Sequence, residues 1–138
     1  MKEIEDFFED YKNAVWQKDA TMLLKLYANE VISFDMWDIG YYKTLNEWTP
    51  EIENWLSSLG EEKVKVDFEM IKVFKSDING FASGLVEFQA INIQGAVLRK
   101  MKNRITVGFS KFKDGWKVVH QHVSAPVTSE NLTAILDL

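Results

Sequence analysis

His120 and His122 are the two histidines of this sequence, and histidine is the side chain that titrates closest to neutral pH. Because they lie two positions apart on a predicted strand, their imidazoles point to the same face of the sheet. Two histidines at this spacing can bind a metal ion, but no third ligand is evident. The sequence has no cysteine, which excludes thiol catalysis, disulfide bonds and cysteine-based metal sites. No metal and no cofactor are predicted.

Four basic residues lie close together on the longest predicted strand; they are Arg99, Lys100, Lys102 and Arg104. A solvated strand explains the first three. Over the whole chain, the first 62 residues carry 14 acidic and 5 basic side chains, and the remainder carries 7 acidic and 11 basic ones. Because nucleic-acid binding needs a broad positive surface, the acidic first half argues against it. No phosphate-binding loop or nucleophile elbow is present.

The hydropathy pattern argues against a membrane protein. No apolar stretch approaches the roughly 18 residues that a membrane-spanning helix requires. The first ten residues are acidic and amphipathic, whereas a signal peptide begins with a basic end followed by an apolar run. A soluble, cytoplasmic protein is therefore expected.

Three helices are predicted in the first sixty residues. Apolar side chains recur at helical spacing over roughly 2–17, which predicts the first helix. Asp19 is a good N-cap for a short second helix. Thr49 followed by Pro50 indicates the start of the third helix, because a capping hydroxyl precedes a residue that needs no backbone donor. Gly60 is a plausible end for that helix.

The second half of the chain reads as a series of antiparallel strands. After Gly60 the apolar period changes from helical spacing to two. Turns predicted at 77–80, near Gly95 and at 114–115 divide this half into four strands. The tail, 128–138, is interpreted either as a short helix or as a frayed end.

Helices followed by a meander of strands predict one α+β domain over residues 1–138, with the helices covering one face of the sheet. The other face is expected to carry the apolar side chains of Ile105, Val107 and Phe109. Since an exposed apolar face needs a cover, a second copy of the chain is the simplest candidate, and a homodimer is predicted.

Two segments of the sequence resemble a known family. The segment Asp114-Gly-Trp-Lys-Val-Val-His-Gln-His-Val-Ser-Ala-Pro126 resembles the end of SnoaL-like domains and of the association (hub) domain of the calmodulin-dependent kinases. Lys18-Asp19, then Leu26-Tyr-Ala28, then an Asp on the next strand resemble ketosteroid isomerase. The resemblance implies the cone-shaped nuclear-transport-factor-2-like (cystatin-like) fold, with a pocket between helices and a strongly bent sheet. That fold hosts isomerases, cyclases, dehydratases and non-catalytic assembly modules.

The resemblance implies roles for Asp35 and Tyr11, which match the general base and the oxyanion tyrosine of ketosteroid isomerase. Such a carboxylate shuttles a proton beside a carbonyl, and the phenol stabilises the enolate oxygen. The second donor of that enzyme is a protonated carboxylic acid. The matching region here, 104–108, has no acid, and Thr106 is the residue expected at that position. The alternative for Asp35 is a hydrogen-bonded strand end, and for Tyr11 a core position.

Further pocket residues follow from strand alternation and from the resemblance. Asp35 and Trp37 should share a face, so Trp37 is a candidate wall, as is Trp55 on the third helix. Core packing is an equal alternative for both rings. Arg104 has the same parity as Thr106, so it is expected on the pocket floor, where it would suit a carboxylate or pair with Asp35.

The same resemblance, aligned on Trp116, implies that Gln121 faces the pocket. His120 and His122 then fall on the convex, dimer-facing side, with a pocket position as the alternative. If they lie in the interface, the dimer should be sensitive to pH.

The sequence therefore predicts a homodimeric domain that binds a small, mostly apolar molecule with a carbonyl or carboxylate. If it is an enzyme, proton transfer at carbon is the expected reaction, with Asp35 as base and Tyr11, Thr106 or Arg104 as donors. The alternative is a non-catalytic oligomerisation or protein-association module like the kinase hub.

Overall fold

A computed structural model describes residues 1–138 as three helices packed on one six-stranded sheet. The helices are α1 (Asp6–Trp16), α2 (Ala20–Leu24) and α3 (Leu45–Ser57). The strands are β1 (Tyr27–Phe34), β2 (Tyr41–Tyr42), β3 (Lys63–Lys75), β4 (Asn79–Ile91), β5 (Val97–Phe112) and β6 (Gly115–Ser124). The sheet has the order β2-β1-β6-β5-β4-β3, and all neighbours are antiparallel except β1 and β6. This arrangement confirms the predicted α+β class.

The starts of α2 and α3 follow from local capping. Asp19 caps α2 as predicted, because its Oδ1 accepts from the Met22 N–H at 3.0 Å. The prediction for α3 was wrong, since the helix begins at Leu45 and Pro50 lies inside it. Thr44 caps this start by accepting from the Glu47 N–H at 3.2 Å, so the helix is nucleated five residues before the position that Thr49 and proline suggested.

A bulge bends the long β3–β4 ribbon around the helices. The register of the two strands shifts between Glu69 and Lys72. Met70, within this shift, has a φ of +57° and is highly exposed. An extra residue in one strand increases local twist and curvature. The bend turns one face of the sheet into a concave surface that faces α1 and α3.

The concave face carries the apolar side chains of β5. Ile105, Val107 and Phe109 are at most 3% exposed and belong to the main core. The prediction that these residues form an uncovered face was therefore wrong. Because side chains alternate along a strand, Arg104 and Thr106 lie on the opposite, convex face, where both are exposed.

The C-terminal tail is neither a helix nor a frayed end. It returns to the sheet, where the Lys102 N–H donates to the Leu136 carbonyl at 2.7 Å. The Ile135 N–H donates to the Pro126 carbonyl at 2.8 Å, which closes the tail into a loop. These bonds bring the tail over the N-terminal half of β5.

None of the three helices has the length and apolarity that a membrane crossing requires.

Phe7 is the centre of the aromatic core, and its removal tests the packing. The ring is 0% exposed and lies 5.4–6.5 Å, centroid to centroid, from five other rings. Phe7→Ala should lower the free energy of unfolding by about 3–5 kcal/mol, because a large buried side chain is lost and a cavity is left. Urea denaturation measures the change. Ile93→Ala, on an exposed turn, should change stability by less than about 0.5 kcal/mol. Equal effects of the two substitutions would contradict this account.

Candidate functional site

A cavity of about 790 Å³ lies between α3, the loop after β1 and the concave face of the sheet. Its size is in the range of small-molecule sites, which are mostly apolar with a few polar groups. Trp48 and Trp55 line it from α3, and Phe88 lines it from β4. Trp55 packs edge-on against Phe88 at 6.1 Å between centroids. Aromatic side chains therefore form much of the wall.

Asp35 lies on this cavity just beyond the end of β1. Its Oδ1 accepts from the Met36 N–H at 2.8 Å, and its backbone N–H donates to the Gly40 carbonyl at 3.0 Å. Gly40 has a φ of +70°, and a Cβ there would lie 2.9 Å from the Asp35 carbonyl oxygen. Glycine is therefore required for this tight loop, which holds the carboxylate at the cavity.

The environment of Asp35 favours its protonated form. Burial raises the pKa of this carboxyl group, and the charges of Asp38 and Glu51 raise it further. The backbone N–H groups of Met36 and Trp37 oppose the rise, since they bond to the charged form. Asp35 is thus a stronger proton acceptor than an ordinary aspartate.

Tyr11 reaches the same cavity from α1 and is 5% exposed. Burial, together with the charge of Asp35, raises the pKa of its phenol. The hydroxyl therefore stays protonated at neutral pH and can donate a hydrogen bond. The fold thus brings Tyr11 and Asp35 to one cavity, although 24 residues separate them in sequence.

Gln121 lies on the cavity floor, and Tyr27 orients it. The Tyr27 hydroxyl donates to Gln121 Oε1 at 2.6 Å, and both side chains are buried. Because this bond uses the carbonyl oxygen of the amide, the N–H groups of Gln121 are the donors left for a ligand.

Asn103 and Trp48 are cavity residues that the sequence analysis missed. Asn103 is 0% exposed, and neither Nδ2 nor Oδ1 of its amide has a hydrogen-bond partner in the protein. The Trp48 Nε1–H is also buried without a partner. The sequence did contain a signal for Asn103. Alternate positions of β5, such as Ile105 and Val107, are apolar, and Asn103 is a polar residue in the same alternating series.

The polar floor differs from the predicted one. Arg104 and Thr106 are on the convex face and do not line the cavity, so their predicted place on the floor was wrong. An ion pair between Arg104 and Asp35 is also absent. The parity was misassigned because Thr106 was matched to the acidic donor of ketosteroid isomerase, and Arg104 was placed by its shared parity with Thr106. The cationic residues that line the cavity are instead Arg99 and Lys100, which are both exposed. Arg99 is bonded to Glu62 at 2.9 Å.

Trp37 lies at the rim of the cavity, where it is 52% exposed. Trp55 is half-buried in the wall. Both rings are therefore next to the cavity. Their contact with a ligand stays a prediction.

The two histidines lie on the convex face and not in the cavity. The ring of Phe34 is 5.0 Å from that of His120 and 5.4 Å from that of His122, between centroids. His120 Nδ1 is also bonded to the Ile32 carbonyl at 2.9 Å. No group of three or more His, Cys, Asp or Glu side chains is placed to hold a metal ion. The interface role of the histidines stays a prediction.

Comparison with known families identifies this domain. The family model of the SnoaL-like domain matches residues 4–128. The chain belongs to the SnoaL-like family. This result confirms the resemblance seen in the sequence. No curated protein matches the chain.

Solved structures with the same fold as this SnoaL-like domain have low sequence identity to it. An NTF2-like protein of unknown function from Pseudomonas putida is 22% identical, with a TM-score of 0.85 over 98% of this chain and 92% of that one. A Xanthomonas campestris protein assigned to the kinase II association domains is 17% identical, with a TM-score of 0.75 over 92% and 86%. A cystatin-like protein from Caulobacter vibrioides is 12% identical, with a TM-score of 0.70 over 89% and 88%. These likenesses show the fold alone.

The tail adds a wall to the cavity outside the SnoaL-like match. The match ends at Thr128, yet Leu136 lines the cavity. Its carbonyl is bonded to the Lys102 N–H on β5, which holds the leucine in place. This wall is therefore built by residues beyond those that the SnoaL-like model matches.

Replacing Asp35 with Asn should raise the free energy of unfolding at pH 7. The change removes a buried charge but keeps an oxygen that can accept from the Met36 N–H. Because the pKa of Asp35 is raised by burial, its protonated form favours folding, and this contribution is complete below the ordinary value of about 3.9. That contribution is lost as the pH rises through the raised value. The gain from Asp35→Asn should therefore shrink toward about pH 4.

Urea unfolding of this SnoaL-like domain at the two pH values measures the effect. Asp77→Asn is the matched control, because Asp77 is exposed on the β3–β4 turn. It should change stability little at either pH. A loss of stability at pH 7 in Asp35→Asn would contradict the assigned environment of this carboxylate.

Proposed function

We propose that this SnoaL-like domain binds a small, mostly apolar molecule with a carbonyl group and moves a proton at the adjacent carbon without a cofactor. The observation that carries the proposal is one cavity that holds a carboxylate of raised pKa, Asp35, and a protonated phenol, Tyr11. Aromatic walls surround both groups. An isomerase, cyclase or dehydratase that acts on a carbonyl compound needs this pair of functions.

Each of the two residues has a defined task in the proposed reaction. Asp35 accepts the proton from the carbon next to the carbonyl. The electrons of that C–H bond form a C=C bond, and the carbonyl oxygen gains the negative charge of an enolate. The Tyr11 hydroxyl donates a hydrogen bond to that oxygen. Protonated Asp35 then returns the proton to the same carbon or to another one, which completes an exchange or an isomerisation.

The charges around the cavity favour a neutral carbonyl ligand over a carboxylate. Asp38 and Glu51 add negative charge close to Asp35. The lining also has two cations, but Arg99 is bonded to Glu62, which leaves Lys100 against the three carboxylates Asp35, Asp38 and Glu51. A carboxylate ligand beside Asp35 would meet repulsion from like charges. The proposal is therefore narrowed to ketones, esters, amides and similar carbonyl compounds.

The competing interpretation is a protein-association module, the class to which the Xanthomonas campestris protein is assigned. The buried polar groups of the cavity argue against it. An association module gains nothing from unpartnered polar atoms such as Trp48 Nε1, which lower stability. A ligand that bonds to them explains their presence.

Proton exchange tests the enzyme proposal without knowledge of the natural substrate. Deuterium incorporation next to the carbonyl of a panel of cyclic ketones, including 1- and 2-tetralone, is followed by NMR in D₂O. The wild-type chain should accelerate exchange of at least one ketone. Asp35→Asn should reduce that rate by about 10²–10⁴-fold, since a general base is lost. Asp77→Asn should leave it unchanged. If no ketone binds or exchanges, the proposal is rejected and the association module is favoured.

We also propose that the chain forms a homodimer through the convex face of its sheet. The proposal does not rest on Ile105, Val107 and Phe109, the β5 residues that the sequence predicted at the interface. It rests on residues of β1, β2 and β6. Ile32, Phe34 and Tyr41 are each 38–49% exposed, and Phe34 contacts His120 and His122. A cluster of exposed apolar and aromatic side chains is typical of an interface.

Sedimentation velocity at several protein concentrations tests the dimer. Phe34→Glu should weaken it at least about tenfold, because a charge is buried against an apolar surface. Ile93→Glu, on a distant exposed turn, is the matched control. An unaltered dimer in Phe34→Glu would exclude this face.

A further inference from the structure

Asn103 lies in an apolar part of the cavity floor. It is on β5, where its neighbour across the ladder to β4 is Val86, which is fully buried. On its own strand, the next residue on the same face is Ile105, which is 3% exposed. Asn103 lines the cavity together with Val123. Asn103 therefore has apolar neighbours on β4, β5 and β6.

An amide in such a place is costly when it has no partner. Both the donor, Nδ2, and the acceptor, Oδ1, are buried and unbonded in the protein. Removing such groups from water without a compensating bond destabilises the folded state. Leucine has nearly the same shape and would avoid that cost. The free protein is therefore less stable than it would be with an apolar residue here, which is typical of positions kept for a ligand.

We propose that Asn103 recognises a ligand with an amide edge, in which a carbonyl oxygen and an N–H group lie side by side. Lactams and primary carboxamides have this edge. The ligand carbonyl accepts from Asn103 Nδ2, and the ligand N–H donates to Oδ1. This inference rests on the proposed function, because it narrows the carbonyl compound that binds in the same cavity.

The pairing of both amide atoms selects between classes of carbonyl compound. A ketone or an ester supplies an acceptor for Nδ2 but leaves Oδ1 unpaired. A carboxylate also lacks the donor. An amide edge pairs both atoms at once, and a site built to bond both groups rejects analogues that lack one. The cavity, at about 790 Å³, is large enough for a two-ring lactam.

Three probes with the same two-ring frame test this inference by isothermal titration calorimetry. They are 3,4-dihydroquinolin-2-one, which has the amide edge, its N-methyl derivative, and 2-tetralone, a ketone with CH₂ in place of the N–H group. The wild-type chain should bind the first at least about tenfold more tightly than the other two, as expected for one buried group left unpaired. In Asn103→Leu this preference should fall to about twofold or less. Equal binding of all three by the wild-type chain overturns the inference but leaves the proposed function intact. If none of the probes or ketones binds, the proposed function itself fails.

The stability of Asn103→Leu gives a second readout that needs no ligand. Because the substitution removes two unpaired polar atoms and keeps the volume, the variant should unfold at a higher urea concentration than the wild type. Asn92→Leu, at the exposed β4–β5 turn where Asn92 Oδ1 accepts from Gln94 and Ala96, should instead lose stability. If Asn103→Leu is less stable than the wild type, the amide already has partners in the free protein, and the inference is overturned.

Discussion

The alternation of side chains along β5 is the constraint on which the core, the cavity and the outer face depend. Ile105 and Val107 point toward the helices and are almost completely buried, so the residues between them must point outward. Asn103 shares the inward parity and reaches the cavity, whereas Arg104 is directed to the convex face. A shift of one residue in register would exchange the two faces. The buried apolar set prevents such a shift, and it thereby fixes which polar groups a ligand can meet.

The cavity combines groups that lower the stability of the free chain. Burial raises the pKa of Asp35, and Asn103 and Trp48 keep buried atoms without partners. The aromatic cluster around Phe7, between α1 and the sheet, offsets these costs. Proteins commonly concentrate such unfavourable groups where a ligand binds. The contrast between the well-packed aromatic cluster and the unpaired polar groups of the cavity is the physical reason to regard the cavity as functional and not as a packing defect.

Local signals predicted much of the fold, because they depend on short-range chemistry. The cap at Asp19 and the change of period after Gly60 required only neighbouring residues. The start of α3 was placed at Thr49 because proline there gave a stronger local signal than the true cap, Thr44. The cavity side of β5 could not be derived in the same way. Its orientation depends on which face the helices cover. Asn103 was a signal, as a polar residue at the apolar parity of β5, but that signal did not show which face encloses the cavity.

The strand β6 presents Gln121 to the cavity and His120 to the opposite face. The two faces are therefore separated by the thickness of a single sheet. If ligand binding shifts β6, the same shift alters the surface that a second copy would contact. Thermodynamic linkage is reciprocal, so a dimer that favours one position of β6 changes ligand affinity by the same factor. The apparent affinity of the cavity would then vary with the total concentration of the protein, even though the two binding surfaces share no side chain.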